Sequence, residues 1–385
     1  MVNATRANRG PNRWSASADD STLHLENHVG LPANFLERMA RAAALAPSGD
    51  NLQPWSFGAD GDTLLVRHDP QRDLSLFNVR YLASFIALGA ALENITIAAS
   101  TEGYLAKIDY FPDPHDDELT ARVSFEPGAS PDPLSAFLDK RCTNRRPYAA
   151  RPINPDVMSR LYSASEKISA IEIFWIQDKS KLKKLGQIVA RADRLIFENP
   201  VIHSHLFSTI RWTQDEVEKT RDGLPIKSLE LGHVGSLAFR CLKCWSFVNF
   251  VNRFGFSKAT ANHTLLLMRR CSAAGLITSP AMSPPAFIHV GRTFQRAWLL
   301  ATKEQLAAQP MTAVIFLQLR SRLAEYNGLT QDQIQTVNEL RRDLETFFAL
   351  PADRVPAMLF RVGYAPGPTA RTIRRSVTDK SEMTE

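Results

Sequence analysis

The segment of residues 46–55 contains three uncharged side chains that can form hydrogen bonds. It also contains two prolines, which stiffen the chain. Pro47 ends the helix predicted for residues 35–45, because its ring clashes with the preceding turn and it lacks an N–H. Pro54 keeps the chain extended where it leaves the loop. Such a loop suits the polar edge of a flat heterocycle, and a capped turn is the alternative interpretation. The three side chains belong to Ser48, Asn51 and Gln53.

Two arginine-containing segments are suited to binding a phosphate group. In the first, Arg141, Thr143 and Arg145 alternate, so in an extended segment they point to the same side. Two guanidinium groups with a hydroxyl between them can donate hydrogen bonds to several phosphate oxygens. The second segment contains Arg371, Arg374 and Arg375. The alternative interpretation is a solvated linker for the first segment and a charged, frayed tail for the second.

The composition is that of a globular protein, with 385 residues, 44% hydrophobic residues and a net charge of +6. The basic residues are scattered, so nucleic-acid binding is not predicted. Four cysteines do not form a disulfide scaffold, and residues 1–20 lack the apolar core of a signal peptide, so we expect a cytoplasmic protein. The apolar run at residues 82–99 contains Glu93 and Asn94, which favours a buried helix over a membrane span.

The elements that must position these side chains occur in a repeated order: helix, strand, helix, strand, strand. Residues 1–30 are expected to form a flexible N-terminal arm, residues 31–133 a first half and residues 134–385 a second half. In the first half, helices are predicted at residues 31–45 and 80–102, and strands at residues 56–57, 63–67, 104–111 and 119–125. In the second half, helices are predicted at residues 154–166, 181–197 and 293–308, and strands at residues 172–177, 286–290 and 357–363. Residues 311–317 are predicted to form a strand or the start of a helix.

The two halves differ in the segments that carry chemistry. The loop at residues 47–55 has no counterpart in the second half, and the basic segment at residues 141–148 has none in the first. A duplicated chain of this kind can build from one molecule what other proteins build from two identical subunits. The complementary losses therefore predict one asymmetric site per chain.

Over about residues 31–380 the chain resembles the FMN-dependent nitroreductase family, in the subgroup with two nitroreductase-like halves fused in one chain. The resemblance implies an α+β fold, a three-layer α-β-α arrangement in an internal pseudo-dimer. The motifs that carry it are Pro47-Ser48-x-x-Asn51-x-Gln53-Pro54-Trp55, the helix of residues 86–94, Arg141-x-Thr143-x-Arg145, Gln309-Pro310-Met311, and Gly363-Tyr364-Ala365-Pro366 with its trailing arginines.

The resemblance further implies FMN as cofactor, bound between the halves, with NADH or NADPH as electron donor. Thr143 stands where the family usually has Ser, which keeps the hydroxyl. One FMN per chain is expected, and a monomer is possible because the two halves mimic a dimer. The residues implied in phosphate binding are Arg141, Thr143, Arg145 and either Arg374 or Arg375. Those implied in contacting the flavin are Pro47, Ser48, Asn51, Gln53 and the backbone near Pro310 and Met311.

The expected reaction is ping-pong hydride transfer through flavin N5 to a small conjugated acceptor, such as a nitroaromatic compound or a quinone. No catalytic side chain is predicted, since the flavin carries the chemistry. The first alternative is a flavin-sequestering protein whose lid excludes NAD(P)H. The second is an α-helical protein that associates with nucleic acid or a membrane through its positive charge.

An insertion at about residues 199–283 is predicted to form a lid over the flavin. Its amphipathic stretch at residues 236–256 either packs on the core, which we favour, or touches a membrane without stable insertion. Within it, Cys241 and Cys244 are predicted to be buried thiols rather than metal ligands, although Cys271 and His263 could complete a zinc site. His289 is predicted to be a core residue in a strand.

Overall fold

The computed structural model describes residues 31–165, 168 and 170–377, so the predicted N-terminal arm lies outside the described residues. The α+β class predicted from the sequence is confirmed. The first half contains α1 (Phe35–Ala44), β1 (Trp55–Asp60), β2 (Thr63–His68), α2 (Leu82–Thr101), β3 (Tyr104–Tyr110) and β4 (Leu119–Pro127).

The second half begins with a helix that has a well-formed start: the Asn154 side chain accepts the Asp156 N–H, and Pro155 occupies the first helical position. A strand follows, then a long excursion, and then the rest of a second sheet. In chain order the elements are α3 (Pro155–Tyr162), β5 (Glu172–Ile176), α4 (Lys179–Glu198), α5 (Pro200–Thr209), β6 (Ile210–Arg211), α6 (Gln214–Thr220), β7 (Leu224–Pro225), α7 (Gly232–Cys241), α8 (Trp245–Asn252), α9 (Phe256–Arg270), β8 (Ala273–Ser279), α10 (Pro284–Lys303), β9 (Ala307–Pro310), α11 (Ala313–Leu323), α12 (Gln331–Phe348) and β10 (Val355–Gly363).

The two halves build antiparallel sheets of the same strand order. The first sheet has the order β1-β2-β4-β3 and the second has the order β5-β8-β10-β9, so each strand of one has a counterpart at the same place in the other. In the first sheet β1 and β2 are joined by a tight turn at Gly61, which has a φ of 57°. In the second, the corresponding strands β5 and β8 are separated by α4 to α9.

The central helices α2 and α10 pack against each other, α2 also on the first sheet and α10 on the second. Their backbones approach at two glycines. A Cβ added at Gly89 would lie 2.0 Å from the Ile288 carbonyl oxygen, and one added at Gly291 would lie 1.9 Å from the Ile86 carbonyl oxygen. Any side chain at either position would force the helices apart.

Among the described residues, one helical stretch, Val79–Thr101, is long and apolar enough to cross a membrane, and 89% of its most apolar window is buried within the protein.

The strand predicted at residues 286–290 is wrong, because these residues belong to helix α10, so His289 lies on a helix. The helix predicted at residues 181–197 is confirmed as α4, and it is α10 that packs on α2. Strand β8, whose seven residues are all buried, has no counterpart among the predicted strands. A fully buried strand has no alternation of polar and apolar residues, so periodicity does not reveal it.

The contact at Gly291 gives a first prediction. The Gly291→Ala variant should lose about 3 kcal/mol of unfolding free energy, because the new methyl group overlaps backbone that cannot rotate away. Urea denaturation measures this change. Gly58→Ala is the control, since a Cβ there is 3.8 Å from its nearest neighbour. Equal stability of the two variants would contradict the close helix contact.

Candidate functional site

A cavity of about 420 Å³ lies between the two halves. Its volume falls in the range of roughly 300–1,000 Å³ typical of small-molecule and cofactor sites. One wall is formed by Ala83, Ile86 and Ala87 of α2, and another by Phe294 and Trp298 of α10. The apolar walls end in a strongly basic region. Its residues are Arg141, Thr143, Arg145, Arg371 and Arg374.

The structure brings most of the sequence-predicted site residues to this cavity and leaves three away from its lining. Gln53 and Met311 are buried behind it, and Arg375 lies beside the loop after α1, where one guanidinium nitrogen donates to the Trp55 carbonyl oxygen. The predicted residues that line the cavity are Pro47, Ser48, Asn51, Arg141, Thr143, Arg145, Pro310 and Arg374.

The loop after α1 has a strained backbone. The φ angle is 45° at Asp50, 59° at Asn51 and 54° at Gln53. Non-glycine residues rarely adopt this left-handed conformation, which Asn and Asp tolerate best. The cost is about 1–3 kcal/mol for each residue and is usually seen where the surroundings fix the conformation at a functional site. Here the Ser48 hydroxyl accepts the Gln53 N–H at 2.9 Å, which closes the loop.

The amides of this loop bind the C-terminal segment of the described chain. Asn51 Oδ1 accepts from Arg374 at 2.6 Å, and Asn51 Nδ2 donates to the Ile373 carbonyl oxygen at 3.1 Å. Gln53 Oε1 accepts the Arg375 N–H at 2.9 Å, and Gln53 Nε2 donates to the Arg221 carbonyl oxygen at 2.9 Å. These two side chains therefore hold the segment of residues 373–375 and the insertion against the loop.

Arg141 is a buried cation without a counterion. Its side chain is stacked over Trp298, with 4.5 Å between the guanidinium carbon and the ring centre, and it donates to the Leu45 carbonyl oxygen at 3.0 Å. Its Nε is buried and has no partner, and no ion pair joins Arg141 to a carboxylate among the described residues. Burial, reinforced by Arg374 and Arg371, lowers the pKa of Arg141 to about 9. Such a group is suited to binding an anion.

Three further arginines surround Arg141. Arg145 donates to the Ser228 carbonyl oxygen at 3.2 Å, and burial lowers its pKa. Arg371 donates to the carbonyl oxygens of Asp139 and Arg141, at 2.5 and 3.1 Å. Burial, followed by repulsion from Arg371, lowers the pKa of Arg374 to about 10. These hydrogen bonds go to backbone carbonyls rather than to acidic side chains, although Asp50 and Glu230 lie close enough to Arg145 to oppose the lowering of its pKa.

The start of helix α11 offers a backbone donor one residue later than the predicted position. Pro310 has no N–H, and the Met311 N–H donates to the Leu359 carbonyl oxygen at 2.8 Å. Thr312 lines the cavity, and its N–H has no hydrogen-bond partner among the residues that the structure describes. Thr312 is therefore the backbone donor available to a ligand at this edge.

The insertion contributes Leu224 and Ser228 to the lining of the cavity. Asp222 holds it in place, since its carboxylate accepts hydrogen bonds from Arg72 at 2.9 Å and from Arg211 at 2.5 Å. A third contact joins His205 Nε2 to Asp50 at 3.4 Å. Although burial opposes protonation, the hydrogen bond to Asp50 raises the pKa of His205.

The cysteine prediction is wrong in one respect: Cys241 and Cys244 are exposed rather than buried. The helix faces that turn inward carry Phe239 and Val248 instead, so the two thiols point outward. In the described part of the chain no three His, Cys, Asp or Glu side chains are grouped so as to hold a metal ion.

Several cavity residues were missed by sequence reasoning. Arg371 belongs to a basic cluster visible in the sequence, but only its position beside Arg141 distinguishes it from Arg375. Thr312 follows the predicted Pro310-Met311 pair. No local signal marks the others, because they come from the apolar faces of α2 and α10 and from the insertion.

The lone charge at Arg141 gives a second prediction. Arg141→Met keeps an apolar chain over Trp298 and removes the cation, so the ligand-free protein should gain about 1 kcal/mol of unfolding free energy at pH 7. Burial lowers the pKa of Arg141 from its higher, ordinary value in the unfolded chain to about 9 in the folded protein. Above pH 9 the folded wild type therefore binds fewer protons than its unfolded state, so its unfolding free energy rises with pH. The difference in unfolding free energy between Arg141→Met and the wild type should then narrow.

Thermal and urea unfolding between pH 7 and pH 10 measure this difference. Arg151→Met is the matched control, because Arg151 is exposed but also stacks on an aromatic ring, that of Tyr364 at 3.6 Å. A loss of stability in Arg141→Met that does not change with pH would contradict the description of Arg141 as a desolvated cation.

Comparison with known proteins finds sequence relatives in Mycobacterium tuberculosis. No family model matches the chain. The uncharacterized protein MT1398 of Mycobacterium tuberculosis is 26% identical over 348 residues, which are 89% of this chain and 48% of that protein. The "Putative NAD(P)H nitroreductase MT3217" of the same organism is 30% identical over 156 residues, 36% of this chain and 45% of that protein. The chain thus spans about half the length of these curated relatives.

Among solved structures, a nitroreductase with bound FMN from Bacteroides fragilis is 10% identical, with a TM-score of 0.33, and covers 61% of this chain and 89% of its own. The sequence relatives include proteins named as NAD(P)H nitroreductases, in agreement with the motifs at residues 47–55 and 141–145. The chain therefore resembles the nitroreductase family, as its sequence motifs predicted.

Proposed function

We propose that this chain is an FMN-binding oxidoreductase of the nitroreductase type, which passes electrons from NADH or NADPH to a small conjugated acceptor such as a nitroaromatic compound or a quinone. The observation that carries the proposal is the buried, uncompensated Arg141 at the basic end of an apolar cavity between the two halves. A flat ring with a phosphate on a flexible arm matches both parts of such a cavity.

The basic region would hold the phosphate. Arg141 has a buried Nε without a partner, and the Thr143 hydroxyl lines the cavity between Arg141 and Arg145. A dianionic phosphate there would supply the missing counterion and accept these donors, which is the arrangement that guanidinium groups favour. Arg371 completes the region in place of the predicted Arg375.

The apolar walls would hold the ring. Small side chains at Ala83 and Ala87 leave room beside α2, and Trp298 and Phe294 limit the cavity on the side of α10. The Thr312 N–H would donate to the polar edge of the ring. Bound FMN would supply hydride chemistry, and the chain would position it and exclude water.

The amides of Asn51 and Gln53 would act indirectly. Because they bind the segment of residues 373–375, they fix Arg374 against the carbonyl oxygens of Ala44 and Ala46, at 2.9 and 3.0 Å. This fixes the loop after α1 and the basic region relative to each other. We therefore propose a positioning role for these amides, in addition to the lining of the cavity by Asn51.

Flavin sequestration is the second candidate, and the contacts of the insertion favour it. The Arg221 carbonyl oxygen binds Gln53 of the loop and the Ser228 carbonyl oxygen binds Arg145 of the cavity, while Asp222 joins the insertion to Arg72 of the first half. A nicotinamide that reacts with the flavin must reach the ring, so the insertion has to open in an enzyme and can stay closed in a sequestering protein. The two candidates differ in the rate of flavin reduction.

The phosphate interaction gives a third prediction, measured by titrating the flavin-free protein with FMN and with riboflavin. The wild type should bind FMN in a ratio near one per chain, with the absorption bands of bound oxidised flavin. Arg141→Met should weaken FMN binding about 100-fold or more, since truncating a buried charge pair costs about 2–5 kcal/mol. Riboflavin lacks the phosphate, so its affinity should change little.

Arg151→Met serves as the control and should bind both flavins like the wild type. A ratio near two, or equal losses for FMN and riboflavin in Arg141→Met, would contradict the proposed single phosphate site.

A fourth prediction concerns the insertion. Asp222→Ala removes the carboxylate that binds Arg72 and Arg211, so the insertion should open more often. If NADH or NADPH reduces the bound flavin, the rate in stopped-flow mixing should rise about tenfold, as expected for the loss of a half-buried ion pair worth about 1.4 kcal/mol.

Asp215→Ala, on an exposed turn of α6, is the control. No bleaching by either nucleotide in the wild type, together with rapid bleaching in Asp222→Ala, would favour sequestration. No bleaching in both proteins would contradict the oxidoreductase.

A further inference from the structure

Helices α7 and α8 of the insertion each have a face that the rest of the protein does not cover. On α7, Val234 and Leu237 are 84% and 69% exposed and stand three residues apart, on one side of the helix. On and just after α8, Phe247, Phe250 and Phe254 follow one another at intervals of three and four residues, and Phe254 is 78% exposed. We call these five side chains the apolar outer face. Large exposed apolar surfaces mark interaction sites in monomeric proteins.

The exposure does not come from poorly packed helices, because each has an inner face in contact with its neighbours. Phe239 of α7 stacks on Phe207, with 4.9 Å between ring centres. Trp245 of α8 lies 5.2 Å from the His203 ring, and Val248 is fully buried. The inner faces therefore pack on α5, which belongs to the insertion itself, and the outer faces are left uncovered.

The same region is strongly and uniformly basic. Residues 231–270 contain six Lys and Arg residues and neither Asp nor Glu. All six are exposed on the described surface. They are Arg240, Lys243, Arg253, Lys258, Arg269 and Arg270.

We propose that the apolar outer face and its basic surroundings dock on the surface of an anionic lipid bilayer. Exposed Phe, Leu and Val side chains enter the boundary between headgroups and acyl chains, and the Lys and Arg side chains bind the anionic headgroups. The helices have 10 and 8 residues, which is too short to cross the roughly 30 Å hydrocarbon core. The protein thus lies on the membrane rather than spanning it.

A second copy of this chain fits the face less well. Two copies that met through it would bring together two segments of residues 231–270, each with six Lys and Arg residues and neither Asp nor Glu, and like charges repel. An anionic bilayer supplies the complementary charge. Docking would also place the insertion, which contributes Leu224 and Ser228 to the cavity, next to the membrane.

The fifth prediction tests this proposal by co-sedimentation of the full chain with vesicles. Binding should be clear with equal parts phosphatidylglycerol and phosphatidylcholine, and weak with phosphatidylcholine alone or at high ionic strength. Arg253→Ala/Lys258→Ala should lower the partition coefficient about 25-fold, since each basic residue near an anionic surface contributes about fivefold. Phe250→Ser/Phe254→Ser should lower it by about tenfold or more, because less apolar surface is buried.

Matched controls carry the same substitutions elsewhere on the surface. Lys183→Ala/Lys184→Ala removes two exposed charges of α4, and Leu74→Ser removes an exposed apolar side chain of the first half. Both should bind vesicles like the wild type, and circular dichroism checks that every variant is folded. Equal losses in the controls, or no binding to anionic vesicles, would overturn the proposal. So would a dimer in size-exclusion chromatography that Phe250→Ser/Phe254→Ser dissociates, since the occupant would then be a second copy.

Discussion

The contact between α2 and α10 is the constraint on which the rest of the structure depends. Because Gly89 faces the Ile288 carbonyl and Gly291 faces the Ile86 carbonyl, the two helices approach as closely as their backbones allow. Each helix also packs on one sheet, so this contact fixes the distance between the two halves. It thereby sets the position of the cavity, whose walls come from the same two helices.

Buried charges make this symmetrical contact specific. Glu93 of α2 accepts from Arg292 at 2.8 Å and from Arg296 at 2.6 Å, and Asn94 accepts from Gln295 at 2.6 Å. A shift of one helix along the other would leave these groups buried without partners, at a cost of several kcal/mol. The network satisfies its cations with a carboxylate, whereas Arg141 has none. Arg292 and Arg296 are therefore paired and hold the halves together, whereas Arg141 is available to a ligand.

The insertion contributes to the cavity and also exposes a surface of its own. It binds the loop after α1 through the Arg221 carbonyl oxygen, and the cavity residue Arg145 through the Ser228 carbonyl oxygen. Its outer helices expose apolar and basic side chains. The corresponding strand connection is a short turn in the first half and contains six helices in the second, while the two sheets keep the same strand order.

The sequence by itself determined the class of fold, the helix–strand order of the first half and the two motifs of the site. Proline, glycine and amphipathic periodicity are local signals, so α1 to β4 could be predicted closely, and Arg141, Thr143 and Arg145 could be identified as a group. Tertiary structure alone decided that β8 is a central strand, because seven buried residues carry no period. The tertiary structure also decided that the Gln53 side chain and the Met311 N–H form hydrogen bonds within the protein, while Arg371 and Thr312 line the cavity. Which hydrogen-bonding groups remain available depends on partners distant in the sequence, and no local pattern records them.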